Sequence, residues 1–127
     1  MLQKIWGQLE NYYDEMVEIR RYLHQHPELS FKEEKTAQYI ISFYGKLGIQ
    51  VTGNVGGNGV VAKIAGGKPG KTVALRADFD ALPIQDEKEV VYKSLVPGVM
   101  HACGHDVHTA CLLGAARILT ERKDSFA

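Results

Sequence analysis

The sequence predicts a mixed α/β layer whose elements follow the order ααβββα. Two amphipathic helical patterns come first, three short Val-rich runs broken by glycine follow, and an apolar helical pattern ends the chain. Strands of this kind need helices on their faces, so an α/β class is expected. With 127 residues, the chain has the length of one domain or less.

The first two helices are predicted from apolar residues spaced three and four apart. Residues 2–23 form the first such pattern, and the helix should end near His26 because Pro27 disfavours helical backbone in the residue before it. Residues 37–47 form the second pattern, with Gly48 as a natural C-terminal stop.

Three short strands are expected after the second helix. Residues 51–52, 60–65 and 72–77 are rich in valine and separated by Gly- and Pro-containing turns. The last two runs suit a hairpin, and the continuous apolar stretch 73–75 suits a strand covered on both faces. Residues 85–98 are expected to be mainly loop.

The last predicted helix contains an apolar stripe over residues 110–119. Within this stripe Cys111 is interpreted as a small buried hydrophobe. Gly114 costs about 1 kcal/mol of helix propensity, unless another backbone packs closely there. His24 and His26 lie at the predicted end of the first helix, where capping is the favoured interpretation.

Composition argues against several classes of partner. The 15 basic and 15 acidic side chains leave no net charge to neutralise a phosphate backbone, so no nucleic acid is expected. No apolar stretch approaches the roughly 20 residues of a membrane span, so no membrane partner is expected. The N-terminal residues lack the unbroken apolar segment of a secretory signal, and two cysteines make no disulfide framework. A cytoplasmic protein with free thiols is therefore predicted.

Two carboxylates, Asp78 and Asp80, are expected at the C-terminal end of the third strand. They are two residues apart, so an extended backbone would point both to the same side. Open α/β sheets place their sites at such strand ends. Turn formation or an ion pair with Arg76 is an equally weighted alternative for this segment.

A second group of polar side chains lies just before the last helix. His101, Cys103 and His105 alternate, so an extended segment would present all three metal-binding side chains on one side. His108 could reach the same face from the first turn of the helix. Because Asp106 also lies within these eight positions, a metal site is favoured over ordinary packing.

Three blocks of sequence resemble the metal-dependent amidohydrolases of the aminoacylase/carboxypeptidase clan. This branch contains hippurate hydrolase, N-acetyl-diaminopimelate deacetylase and indole-acetyl-amino-acid hydrolase. The blocks occur in the family's order and approximate spacing: RRYLHQHPELSF at 20–31, LRADFDALPI at 75–84 and MHACGHDVHTA at 100–110.

The resemblance implies part of a dimetal-peptidase catalytic domain of phosphorylase/hydrolase-like architecture. Cys103 and His105 match metal ligands, and Asp80 matches an aspartate that supports a metal-binding side chain. Asp78 stands where relatives outside this branch carry a histidine ligand. Asp80 is therefore the expected catalytic residue. The other polar residues of the motif are expected either to support the metal ligands from behind or to have no assigned role; they are His101, Asp106 and His108. Family members use two Zn²⁺ or Mn²⁺ ions to hydrolyse the amide bond of N-acyl amino acids or small peptides.

The resemblance also implies that residues 1–127 are the N-terminal part of such an enzyme. In the family the paired glutamates, further histidine ligands and the dimerisation domain lie beyond this region. We therefore expect reduced or absent metal occupancy, no activity from these residues alone, and homo-oligomers formed through an exposed sheet edge or helix face. Two alternatives remain: a non-catalytic module that binds metal or oligomerises, and a thiol hydrolase with Cys103 as nucleophile.

Overall fold

The computed structural model describes residues 2–127 and contains three helices and one two-stranded sheet. Met1, the first residue of the predicted domain 1–127, and the side chain of Leu2 lie outside the described part. The elements are α1 (Leu2–Gln25), α2 (Glu34–Lys46), β1 (Gln50–Val55), β2 (Gly59–Lys63), α3 (His105–Glu121) and a 3-10 turn (Lys123–Ser125). The three helices confirm the helical patterns, and residues 85–98 form a loop as expected.

The sheet pairs different segments from those expected. β1 and β2 form an antiparallel hairpin in which Gln50 lies opposite Lys63. The turn between them contains Gly56 and Gly57, both with positive φ, which glycine adopts without a side-chain clash. The predicted hairpin between residues 60–65 and 72–77 is therefore wrong.

The third predicted strand is also wrong for the described residues. Residues 72–77 have no strand partner within residues 2–127, and their apolar side chains Val73 and Leu75 are 79% and 59% exposed. A strand needs a hydrogen-bonded neighbour, and among the described residues only β1 and β2 pair with each other. The described order is therefore ααββα.

The core lies where α1 and α2 meet α3. Its buried apolar residues are Ile19, Leu23, Ile40, Tyr44, Ile49, Ala110, Leu113 and Ala116. Within residues 2–127 no helix combines the length and apolar character that a membrane crossing requires.

Cys111 is exposed, so its interpretation as a core residue is wrong. The buried stripe of α3 runs through Ala110, Leu113 and Ala116. Successive residues of a helix are rotated by about 100°, so Cys111 is turned away from that stripe although it adjoins it in sequence.

Gly114 marks the close approach of α3 to α1. A Cβ atom at this position would lie 2.6 Å from Sδ of Met16, so the close neighbour is a side chain and not the expected backbone. We expect Gly114→Val to lower the free energy of unfolding by about 1 kcal/mol, the low end of the usual cost of overpacking, because the flexible Met16 side chain can shift. Urea denaturation measures this loss. The matched control is Gly45→Val in α2, where a Cβ would meet no atom within 4 Å; an equal loss there would contradict the packing explanation.

Candidate metal centre

Two short backbone bridges bring the three sequence blocks together. Leu29 forms a parallel bridge with Ala81, and the Ala81 amide donates a 2.8 Å hydrogen bond to the carbonyl of Glu28. Leu82 forms an antiparallel bridge with Met100. The residues after Pro27, the aspartate segment and the Cys/His segment therefore lie side by side.

Asp80 holds the ring of His105 in place. His105 Nδ1 lies 2.9 Å from Oδ1 of the Asp80 carboxylate and 2.9 Å from the Asp80 carbonyl oxygen. Both neighbours are acceptors, so Nδ1 carries the proton and Nε2 keeps a free lone pair. The Ser30 hydroxyl donates a 2.6 Å hydrogen bond to Oδ2 of Asp80. This hydrogen bond, assisted by the nearby His105 ring, lowers the pKa of Asp80 despite its partial burial.

The start of α3 places the second candidate ligand at the surface. Gly104 has φ +85° and precedes the helix, so the chain turns sharply between Cys103 and His105. Cys103 is an exposed free thiol. The ring centroids of His105 and His108 lie 6.1 Å apart.

The four predicted donors do not form one cluster, which corrects the expectation from their alternation. No three of the described His, Cys, Asp and Glu residues stand close enough together to hold a metal ion. His101 is only 6% exposed, and neither of its ring nitrogens has a hydrogen-bond partner among the described residues, whereas Cys103 is exposed. The segment turns into a helix instead of remaining extended, so residues two apart do not share a face. Burial holds the pKa of His101 below its usual range.

Asp106 faces the protein interior, where it belongs to a buried network centred on His24. His24 Nδ1 lies 2.7 Å from Oδ2 of Asp106, and His24 Nε2 lies 3.3 Å from Oδ2 of Asp86. All three side chains are at most 1% exposed. The Arg20 guanidinium forms a 3.0 Å ion pair with Asp106.

Capping is therefore the wrong interpretation of His24 and the right one for His26. His26 Nδ1 lies 2.8 Å from the carbonyl oxygen of Tyr22 in the last turn of α1, which confirms the capping role. One signal in the sequence could have indicated the buried role of His24: this residue stands four positions after Arg20, on the same face of the predicted helix.

The other end of this network is the carboxylate of Asp86 in the loop. Burial raises the pKa of Asp86, but hydrogen bonds from the Lys88 side chain and from the Ser94 and Lys88 amides outweigh it and hold the pKa well below its usual range. Asp86 is therefore ionised at neutral pH, and the network joins α1 and the first turn of α3 to the loop 85–98.

Asp78 forms the ion pair with Arg76 that was the alternative interpretation of this segment. Its Oδ1 lies 2.7 Å from the guanidinium of Arg76, in a pair that is largely exposed. Its carbonyl oxygen accepts a 3.1 Å hydrogen bond from the Thr109 hydroxyl. The two aspartates are thus divided: Asp78 forms an ion pair with Arg76, and Asp80 contacts His105.

The donor set fits part of a divalent metal site. His105 offers Nε2 because its other nitrogen is bonded to Asp80, and Cys103 offers an accessible sulfur. Imidazole and thiolate are ligands that Zn²⁺ prefers, and a zinc ion usually takes four ligands. These two donors therefore supply part of a ligand set, and the remainder would have to come from other residues.

Comparison with known proteins gives matches along almost the whole chain. Residues 74–127 match the model of peptidase family M20/M25/M40. The protein YhaA of Bacillus subtilis is 64% identical over 123 residues, which cover 96% of this chain and 31% of YhaA. The N-acyl-L-amino acid amidohydrolase of Geobacillus stearothermophilus is 49% identical over 110 residues, which cover 87% of this chain and 30% of that protein.

The fold has a counterpart in a crystal structure. The YXEP protein of Bacillus subtilis, described as a dinuclear metal-binding peptidase of family M20, superposes with a TM-score of 0.85 and 41% identity. The match covers 90% of this chain and 32% of that one. By fold, the chain is thus an α/β segment of the kind found in dinuclear metal-binding peptidases. It is similar to members of peptidase family M20/M25/M40, whose model matches residues 74–127, and it spans about a third of the length of the relatives it matches.

Proposed function

We propose that this chain is the part of a metal-dependent amidohydrolase that carries its first metal-binding side chains. The complete protein would hydrolyse the amide bond of N-acyl amino acids or small peptides. The observation that carries this proposal is the bond between the Asp80 carboxylate and His105 Nδ1, which leaves Nε2 free one residue beyond the turn from Cys103. The similarity to a protein named N-acyl-L-amino acid amidohydrolase supports the substrate class.

Each residue of the site has a role in this proposal. The Cys103 thiolate and His105 Nε2 would hold a divalent ion, and Asp80 keeps the His105 proton on Nδ1. When bound, the ion would polarise the substrate carbonyl and activate water for attack. Mixed sulfur and imidazole ligation favours Zn²⁺ over Mn²⁺. We propose two ions for the complete protein and lower occupancy for residues 1–127 alone.

The proposal assigns general-base catalysis to a glutamate outside residues 1–127, as the resemblance implies. A general base contributes roughly 10²- to 10⁴-fold to the rate of such a reaction. The segment by itself is therefore expected to be inactive.

We also propose an oligomeric state and a cellular location. The exposed Val73 and Leu75 lie on a segment without a strand partner among residues 2–127, and such an edge favours self-association into a homodimer or larger oligomer. The free thiols Cys103 and Cys111 suit a reducing compartment, so we propose a cytoplasmic location.

The test compares the complete gene product with the 127-residue chain, using N-acetyl and N-benzoyl amino acids as substrates. We expect turnover by the complete product, loss of turnover after chelation, recovery with Zn²⁺ or Mn²⁺, and no turnover by the shorter chain. Metal binding without turnover by the complete product would contradict the proposal and favour a non-catalytic metal-binding module. Turnover that survives chelation but is abolished by alkylation of Cys103 would instead favour a thiol hydrolase.

A further inference from the structure

Besides His105, the Asp80 carboxylate has a second hydrogen-bond partner, the Ser30 hydroxyl, which is not one of the candidate metal ligands. Its Oδ1 lies 2.9 Å from His105 Nδ1, and its Oδ2 accepts the 2.6 Å hydrogen bond from Ser30. One oxygen therefore faces the ring and the other faces the hydroxyl. A carboxylate bound at both oxygens cannot rotate freely about its Cβ–Cγ bond. Because the Ser30 hydroxyl holds Oδ2, it also restricts the position of Oδ1, which contacts the His105 ring.

The backbone around Ser30 is held from both sides. The carbonyl of Glu28 accepts the Ala81 amide, and the carboxylate of Glu28 accepts the Thr36 amide at 2.7 Å and the Thr36 hydroxyl at 2.8 Å in the first turn of α2. On the other side, Phe31 has φ +66°, a conformation that non-glycine residues rarely adopt. The Lys32 amide closes this turn by donating a 2.9 Å hydrogen bond to the carbonyl of Leu29, so the backbone at Ser30 is held on both sides.

We propose that Ser30 is a positioning residue that orients the Asp80 carboxylate, so that His105 keeps its proton on Nδ1 and presents Nε2 to the metal. The inference rests on the proposed function only in assigning His105 to a metal. The effect of Ser30 on Asp80 and on the His105 tautomer is a property of the metal-free protein.

The expected change in metal affinity is indirect, because Ser30 contacts Asp80 and Asp80 contacts His105. Residues that orient a metal-binding histidine typically change metal affinity by about 10- to 100-fold when they are replaced. Ser30 is exposed and acts through a second side chain, so the lower end, about tenfold, is expected.

The experiment uses Ser30→Ala in the complete gene product, with Ser30→Thr as the variant that keeps the hydroxyl. Ser125→Ala is the matched control, because Ser125 is also exposed and donates its hydroxyl to a backbone carbonyl, that of Arg122. The ¹⁵N chemical shifts of His105 in metal-free protein report which ring nitrogen carries the proton. Competition with a chromophoric chelator reports the Zn²⁺ dissociation constant, and amide resonances outside the site confirm that each variant is folded.

We expect Ser30→Ala to populate the Nε2–H tautomer of His105 in part, because the Asp80 carbonyl oxygen still accepts a hydrogen bond from Nδ1, and to weaken Zn²⁺ binding about tenfold. Ser30→Thr and Ser125→Ala should retain the wild-type values. An unchanged His105 tautomer in Ser30→Ala, or an equal change in Ser125→Ala, would overturn the proposal. If the wild-type protein binds Zn²⁺ without hydrolysing N-acyl amino acids, the proposed function fails, whereas the tautomer measurement still decides the role of Ser30.

Discussion

Replacing His24 with alanine is expected to lower the free energy of unfolding by about 2–3 kcal/mol, the upper part of the usual cost of leaving buried polar groups without a hydrogen-bond partner. The two ring nitrogens of His24 face Asp106 and Asp86, and the side chains of all three residues are at most 1% exposed. Without the imidazole, the two carboxylates lose a donor that water cannot readily replace.

Urea denaturation measures this loss, and His26→Ala provides the matched control. His26 lies two residues further along the chain and is exposed, and its ring hydrogen-bonds only to the carbonyl of Tyr22 among the described residues. Its replacement should cost no more than about 1 kcal/mol. Equal losses for the two variants would show that the buried network contributes little. The double variant His24→Ala/Asp106→Asn should lose less than the sum of its two single variants, because the two side chains interact directly.

Replacing Cys103 with serine, or His105 with alanine, is expected to weaken Zn²⁺ binding by more than about 100-fold. Each change removes a donor atom, and even the residues behind such donors typically contribute 10- to 100-fold. A serine hydroxyl is a poor substitute because zinc binds the thiolate form of cysteine. The dissociation constant, measured by chelator competition, checks this prediction.

Cys111→Ser is the matched control for this measurement. Cys111 is the second exposed thiol and lies on the same helix as His105, two turns further along. Its replacement should leave the Zn²⁺ affinity unchanged. Comparable losses in Cys103→Ser and Cys111→Ser would mean that zinc binds exposed thiols nonspecifically, and unchanged binding in Cys103→Ser would remove it from the ligand set.

Much of the candidate site could be predicted from the sequence because its signals are local. Cys103 and His105 are separated by one glycine, and the glycine permits the turn that starts α3. Asp80 was identified from its position at the end of a predicted strand and its supporting role from the resemblance, and its contact with His105 spans 25 residues. Ser30 was missed because nothing in its own neighbourhood indicates a partner 50 residues away.

The sequence by itself determined the three helices, the loop 85–98 and the resemblance to metal-dependent amidohydrolases, since helical periodicity and motif spacing depend on residues near one another in the chain. Only the tertiary structure decided which strands pair and which side chains are buried. In the structure β1 pairs with β2, residues 72–77 have no strand partner in the described chain, and Cys111 is exposed. The tertiary structure also placed His24 between two carboxylates that lie 62 and 82 residues away along the chain. Burial depends on contacts between distant segments, and no local pattern records those contacts.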